Sequence, residues 1–269
     1  MNNHKAFKRI IDSIEGAPAI CVSGKHVVFS DLHYNEGGDK NDSEPYLDVQ
    51  RKHIFPYYSR EGYKAIVSEG FDVVEAGCYE NIWNYTPNRD NIKMLVDMTE
   101  RYLPGNHELF IADANHYSLS GLKFADCLRL YSPDGNPLGI CQHGHLGDKW
   151  NYGGKITRAV NWVVRHVWAK WQDSRRASSN LDLSNDIEEC YLELAHNAGR
   201  FNCKPYVCLI GHTHRAALRR RGYGIYLNSG CMVRPNGGHC IEIENGTFRL
   251  VFWDLLGNRK VERALDICK

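Results

Sequence analysis

An α/β fold with two sheets is predicted by three observations. Short apolar runs of strand length recur along the chain, helix-like stretches separate the early ones, and the C-terminal part switches to alternation around Asn245-Gly246. The 269 residues, 43% hydrophobic and 24% charged, can bury a large core. No repeat, low-complexity tract or Pro/Gly/Ser-rich linker divides them, so residues 1–269 are expected to form one domain, with helices flanking the sheets.

In chain order, MNNHKAFKRIIDSIEG is polar and amphipathic and lacks the uninterrupted apolar stretch of a secretory signal. HVVFS (26–30), FDVVEAG (71–77), LGICQH (138–143), YVCLIGH (206–212) and GIYLNSG (224–230) each have strand length and run into Gly, Asp, Asn or His. EGYKAIVSEG, ending at Gly70, and DNIKMLVDMTERY, from Asp90, read as helices between the early runs. CIEIENGTFRLVFWDL alternates about Asn245-Gly246, the signature of a two-residue hairpin, so a second sheet is expected to become antiparallel. Residues 150–200 break the pattern: they hold four of the six tryptophans in WNYGGKITRAVNWVVRHVWAKWQDSRR, then a helix-like run, LSNDIEECYLELAHNAG. They are expected to form a helical cap, or simply helices packed on a sheet.

Lysine plus arginine (33) balances aspartate plus glutamate (32), which gives no general attraction to nucleic acid. The ten cysteines are scattered without a C-x-x-C pair and read mostly as buried, reduced thiols. No stretch approaches the roughly 18–20 apolar residues of a membrane span. A cytoplasmic protein is expected.

The apolar runs lead repeatedly into metal-binding side chains. HVVFS precedes Asp31-Leu32-His33, RYLP precedes Gly105-Asn106-His107-Glu108, LGICQ precedes His143-Gly144-His145, and YVCLI precedes Gly211-His212-Thr213-His214. Strand carboxyl ends share one rim in an open α/β sheet, so these residues can converge. Their imidazole and hard oxygen donors suit Mn, Fe or Zn better than calcium. Of the two neighbouring imidazoles, His143 directly ends its apolar run and is preferred to His145 as a ligand.

In these blocks the chain resembles the calcineurin-like metallophosphoesterases, whose pattern is D-x-H, G-D-x-x-D/E, G-N-H-D/E, a lone strand-end His, and G-H-x-H. The resemblance spans His26 to Gly230 and includes the strand and turn Leu227 to Cys231. It implies an α/β/β/α metallophosphoesterase sandwich holding two divalent metal ions, with Asp31, His33 and His214 at one and Asn106, His143 and His212 at the other. It further implies hydrolysis of a phosphate ester or phosphoanhydride by a metal-bridging hydroxide. Asn106 and His107 would carry the catalytic block, His107 stabilising charge or protonating the leaving oxygen.

The second block departs from that pattern. Its aligned segment is Gly77-Cys78-Tyr79-Glu80-Asn81, which sets Cys78 where the family has its bridging aspartate. Three readings stay open: a working thiolate ligand favouring zinc or iron, a weak or single-metal site, or a substitution that impairs the enzyme. The last would leave a scaffold rather than a catalyst.

The placement of residues 150–200 resembles, more narrowly, the UDP-diacylglucosamine hydrolases of lipid A synthesis. That implies an amphiphilic nucleotide or lipid substrate, Trp162, Trp168 and Arg215 as substrate-binding residues, and peripheral contact with the inner face of a membrane through the cap. A nucleic-acid or cyclic-nucleotide phosphodiesterase is the alternative, through the run Arg215 to Arg221, although such clusters are usually solvated edges.

Overall fold

Twelve strands and seven α-helices are formed among residues 3–37, 43–76, 78–108, 119, 121–148, 181–233 and 236–267, which are those the computed structural model describes. Helix α1 (Asn3–Ile14) leads into β1 (Ala19–Cys21) and β2 (Lys25–Ser30). Helices α2 (Glu44–Val49) and α3 (Phe55–Arg60) flank a π-helical turn and precede β3 (Lys64–Ser68). Helices α4 (Val73–Ala76), α5 (Tyr79–Asn84) and α6 (Thr86–Met98) precede β4 (Thr99–Leu103), β5 (Leu128–Tyr131) and β6 (Pro137–Cys141). Helix α7 (Leu181–Asn202) is followed by β7 (Tyr206–Ile210), β8 (Ala217–Arg221), β9 (Gly224–Asn228), β10 (Gly237–Glu244), β11 (Thr247–Asp254) and β12 (Arg259–Asp266).

The strands form two six-stranded sheets, ordered β1-β5-β6-β7-β9-β8 and β12-β11-β10-β2-β3-β4. In the second sheet β2, β3 and β4 are parallel, whereas β10, β11 and β12 pair antiparallel as the C-terminal alternation predicts. Asn245 (φ 50°) and Gly246 (φ 76°) both take left-handed conformations between β10 and β11, as a type I′ hairpin requires.

Strand alternation explains the layering. Val28, Ile66 and Ile241 point from the second sheet into a core shared with Leu138, Val207, Leu209 and Leu227 of the first. Their neighbours Val27, Phe29 and Val67 point the other way, against Leu47, Phe55, Tyr58 and Ile92 of the helical layer. On the far side of the first sheet, Ile140, Cys208 and Ile210 pack on Ile10 of α1 and on Tyr191 and Ala195 of α7. The result is a four-layer α/β/β/α sandwich, each fully buried side chain of this size contributing about 1.5–3 kcal/mol.

Two expectations change. FDVVEAG is not a strand: Phe71 makes an isolated bridge to Tyr34, and Val73–Ala76 is helical. The strand lies earlier, in the KAIVS of the stretch read as a helix. It is central and parallel, with Ala65, Ile66 and Val67 all fully buried, so it carries no period-two signal. Helix α6 also begins at Thr86, before Asp90, and gives way to β4 at Thr99. No helix among the described residues is long and apolar enough to cross a membrane.

Candidate metal centre

Five loops that follow β2, β3, β4, β6 and β7 meet on one rim of the sandwich. β2, β3 and β4 run parallel, as do β6 and β7, so their carboxyl ends gather the chemistry from both sheets. Backbone conformation marks the same loops. Of the seven non-glycine residues with positive φ among the described residues, five are Asp31, His33, Glu69, His212 and His214. Such strained conformations concentrate at functional sites because only the surrounding structure holds them.

Asp31 is fully buried. Its Oδ2 accepts from the Ser30 hydroxyl and from His212 N–H (3.0 Å), which directs Oδ1 into the cluster. His214 Nε2 lies 3.2 Å and His33 Nε2 3.9 Å from Oδ1, and the two imidazole nitrogens are 3.1 Å apart. On the other side, His143 Nε2 lies 4.0 Å from Asp31 Oδ1 and 2.9 Å from Glu69 Oε2. Asp31, His33 and His214 thus form one compact ligand group, and Asp31, Glu69 and His143 another.

These groups fit cations better than they fit one another. Asp31 Oδ1, His143 Nε2 and Asn106 Oδ1 are buried without a hydrogen bond of acceptable geometry, despite the short approaches. Atoms that converge on a common point rather than along donor–acceptor lines are what a divalent ion would satisfy. The opposite ring nitrogens are held: His143 Nδ1 is 3.1 Å from Ser68 Oγ, and His212 Nε2 is 3.0 Å from the buried Asp148 carboxylate. Asp148 accepts the Nε2 proton of His212 and so leaves Nδ1 with the lone pair.

His107 stands beside these groups with its side chain one-third exposed (34%). Its Nδ1 is 3.0 Å from Asp72 Oδ1, while Asp72 Oδ2 lies 3.4 Å from His33 Nδ1. His107 N–H donates to Glu69 Oε1 at 2.6 Å. Burial alone would lower the pKa of His107, but the Asp72 and Glu69 charges outweigh it and hold the imidazole up to about 9. Glu69 is itself held down to about 2: desolvation opposes ionisation, and the His143 and His107 imidazoles overcome it. Asp31 raises His214 to about 10 against the same penalty.

The turns are shaped by two close approaches. A Cβ at Gly105 would collide with the Glu69 carboxyl, and one at Gly211 with Ser30 Oγ. Asn228 supports the turn containing His212 from beneath: its Nδ2 donates to Gly211 O (2.8 Å) and Thr213 Oγ1 (2.9 Å), and its Oδ1 accepts from Gly230 N–H (2.8 Å). This is the role of the Leu227 to Cys231 segment.

Of the residues singled out in the sequence, Asp31, His33, His143 and His214 enter the ligand groups, and Asn106, His107 and His212 line the same rim. Cys78 does not join them. It is exposed at the start of α5, and the position following the relevant strand is occupied by Glu69. Because that strand ends at Ser68, the turn after it is Glu69-Gly70-Phe71-Asp72, with two acids separated by two residues. Asp148 carried no sequence signal.

Trp162 and Trp168 lie outside the described residues, as does the 150–180 part of the cap expected over 150–200. Residues 181–202 form α7, whose inner face packs on the first sheet. Arg215 reaches α7, donating to Asn185 Oδ1 at 3.0 Å, while Arg219 and Arg221 pair with Glu188 (2.8 Å) and Glu189 (2.6 Å). Much of the basic run is therefore matched by acids of that helix.

No family profile and no curated protein matches the chain. Similar solved structures include Yfce, a phosphoesterase from E. coli, at 15% identity over 90% of this chain and 99% of that one, with a TM-score of 0.47. A novel archaeal phosphodiesterase is also 15% identical (90% and 98% covered, TM-score 0.40). Zinc-complexed Vps29 from Entamoeba histolytica is 14% identical (90% and 99%, TM-score 0.39). These are distant likenesses, and the functional reading rests on the side chains of the rim.

Proposed function

We propose that this chain is a metal-dependent hydrolase of phosphate esters or anhydrides, with two divalent cations held on the rim of the sandwich. The observation that carries the proposal is the convergence of metal-ligating side chains from five loops, among which Asp31 Oδ1, Asn106 Oδ1 and His143 Nε2 are buried without a hydrogen bond. Asp31, His33 and His214 would hold one ion; Glu69, Asn106, His143 and His212 would hold the other, with Asp31 Oδ1 between the groups. When bound, such ions supply Lewis acidity toward phosphoryl oxygens and lower the pKa of water. The nitrogen and carboxylate donors suit Mn, Fe or Zn, and with Glu69 in place of a thiolate the set carries no special preference for soft metals.

The remaining chemistry belongs to His107. Asp72 accepts its Nδ1 proton, so Nε2–H is the group free to donate, and the Asp72 and Glu69 charges favour the protonated ring. It can stabilise charge on phosphoryl oxygen or deliver a proton to the leaving oxygen, while Glu69 fixes its backbone.

Metal analysis of purified protein, with hydrolysis of aryl phosphomonoesters, aryl phosphodiesters and an amphiphilic nucleotide diphosphate, tests the reading. We expect metal-dependent turnover that His107→Ala reduces by about 10² or more with metal content intact. A protein that binds no divalent metal and hydrolyses none of these compounds would be a scaffold.

A further inference from the structure

Glu108 closes the Gly105-Asn106-His107-Glu108 turn, is 1% exposed, and belongs to none of the ligand groups. Its Oε1 accepts from Gly70 N–H (2.9 Å), Phe71 N–H (2.7 Å) and the Tyr102 hydroxyl, and its Oε2 accepts from Gly105 N–H at 3.1 Å. Gly70 and Phe71 are the two residues between Glu69 and Asp72; Gly105 immediately precedes Asn106. One carboxylate therefore ties the turn that carries Glu69 and Asp72 to the turn that carries Asn106 and His107. The join is tight, since a Cβ on Gly70 would approach Tyr102 Oη to 2.8 Å and one on Gly105 would strike Glu69.

We propose that Glu108 is a positioning residue, which sets the ligands of the second metal and the place of His107 without touching either metal or substrate. This rests on the metal centre proposed above. Only a carboxylate presents acceptors at both oxygens; a glutamine would turn an N–H donor toward at least one of these four donors. Glu108 makes no hydrogen bond to the loops that carry His33 and His214, and the His33 loop meets the clamped turn only through its own backbone bonds (Leu32 N–H to Glu69 O and Tyr34 N–H to Gly70 O, both 3.0 Å), so loosening the clamp should weaken the second metal more than the first. A residue with a merely structural role would affect both metals alike.

The test is calorimetric titration of Mn and Zn into the metal-free chain and its Glu108→Gln variant, together with hydrogen exchange at the Gly70, Phe71 and Gly105 amides and steady-state kinetics. We expect Glu108→Gln to weaken one metal about 10–100-fold, weaken the other clearly less, expose the three amides to faster exchange, and lower kcat more than it changes KM. Tyr102→Phe, which keeps the carboxylate but removes one of its donors and the hydroxyl that also accepts from Gly70 N–H (2.7 Å), should show the same selective pattern more mildly, and it serves in place of Glu108→Gln should that variant not fold. Equal weakening of both metals, or two unchanged metals with unchanged kcat, overturns the positioning role alone. Absence of metal binding in the unsubstituted chain overturns the metal centre and the positioning role with it.

Discussion

Replacing Glu69 by Gln should damage this protein in a way that replacing Cys78 does not. Glu69 is 1% exposed and faces His143 Nε2 through one oxygen and His107 N–H through the other. Holding its carboxyl down to about 2 from the ordinary 4.5 corresponds to about 3 kcal/mol of stability, at 1.36 kcal/mol per pH unit. Because the folded pKa is depressed, that contribution is present above pH 4.5 and lost as pH falls through about 2. At pH 7 the metal-free Glu69→Gln chain should thus melt about 6–12 °C lower, given roughly 2–4 °C per kcal/mol for chains of about 150–250 residues. Affinity for the second metal should fall at least about 10–100-fold, the loss typical of a residue that only supports a ligand. Cys78→Ser alters an exposed side chain and should stay within about 0.5 kcal/mol, with metal content and turnover unchanged. Thermal melting without metal, metal titration and aryl phosphate hydrolysis on the three proteins decide the matter. Loss of metal and turnover in Cys78→Ser, with both retained in Glu69→Gln, would refute the assignment of Glu69.

Two further substitutions probe the imidazoles. Asp72→Asn removes the charge that most raises His107, so the pKa of His107 should fall from about 9 and the alkaline limb of the kcat pH–rate profile should move to lower pH; an unmoved limb would detach His107 from proton donation. Asp148→Ala frees His212 to adopt either tautomer, and we expect second-metal affinity to drop about 10–100-fold by titration while Asp148→Asn, which keeps an acceptor, loses less. Equal affinity in Asp148→Ala and the parent chain would show that His212 needs no such partner.

The legible part of the site was the part written at strand ends with visible amphipathic or alternating flanks. Asp31, His33, His143, His212 and His214 each follow an apolar run of strand length that ends directly in metal-binding residues. Glu69 was hidden because β3 is buried on both faces: EGYKAIVSEG lacks alternation, and a short apolar run between glycines suits helix and strand equally. A signal did exist, since Glu69 and Asp72 keep the acid-x-x-acid spacing that Gly77 to Asn81 lacks. Asp148 and the clamp made by Glu108 are contacts between distant loops, which no local pattern encodes.

His33 and His214 stand 181 positions apart in the chain and belong to loops from different sheets, yet their Nε2 atoms are 3.1 Å apart. An ion gripping both would be a clip between two distant parts of the chain. Closing a loop of that length removes about 5 kcal/mol of entropy from the unfolded ensemble, so occupancy would govern resistance to unfolding as well as chemistry. At the opposite end of the sandwich the sheets are joined by apolar packing and a few hydrogen bonds, such as Gly246 N–H to Val22 O (3.1 Å). Chelation should therefore unfasten the molecule from the rim inward, with the ligand loops the earliest to open to protease or exchange.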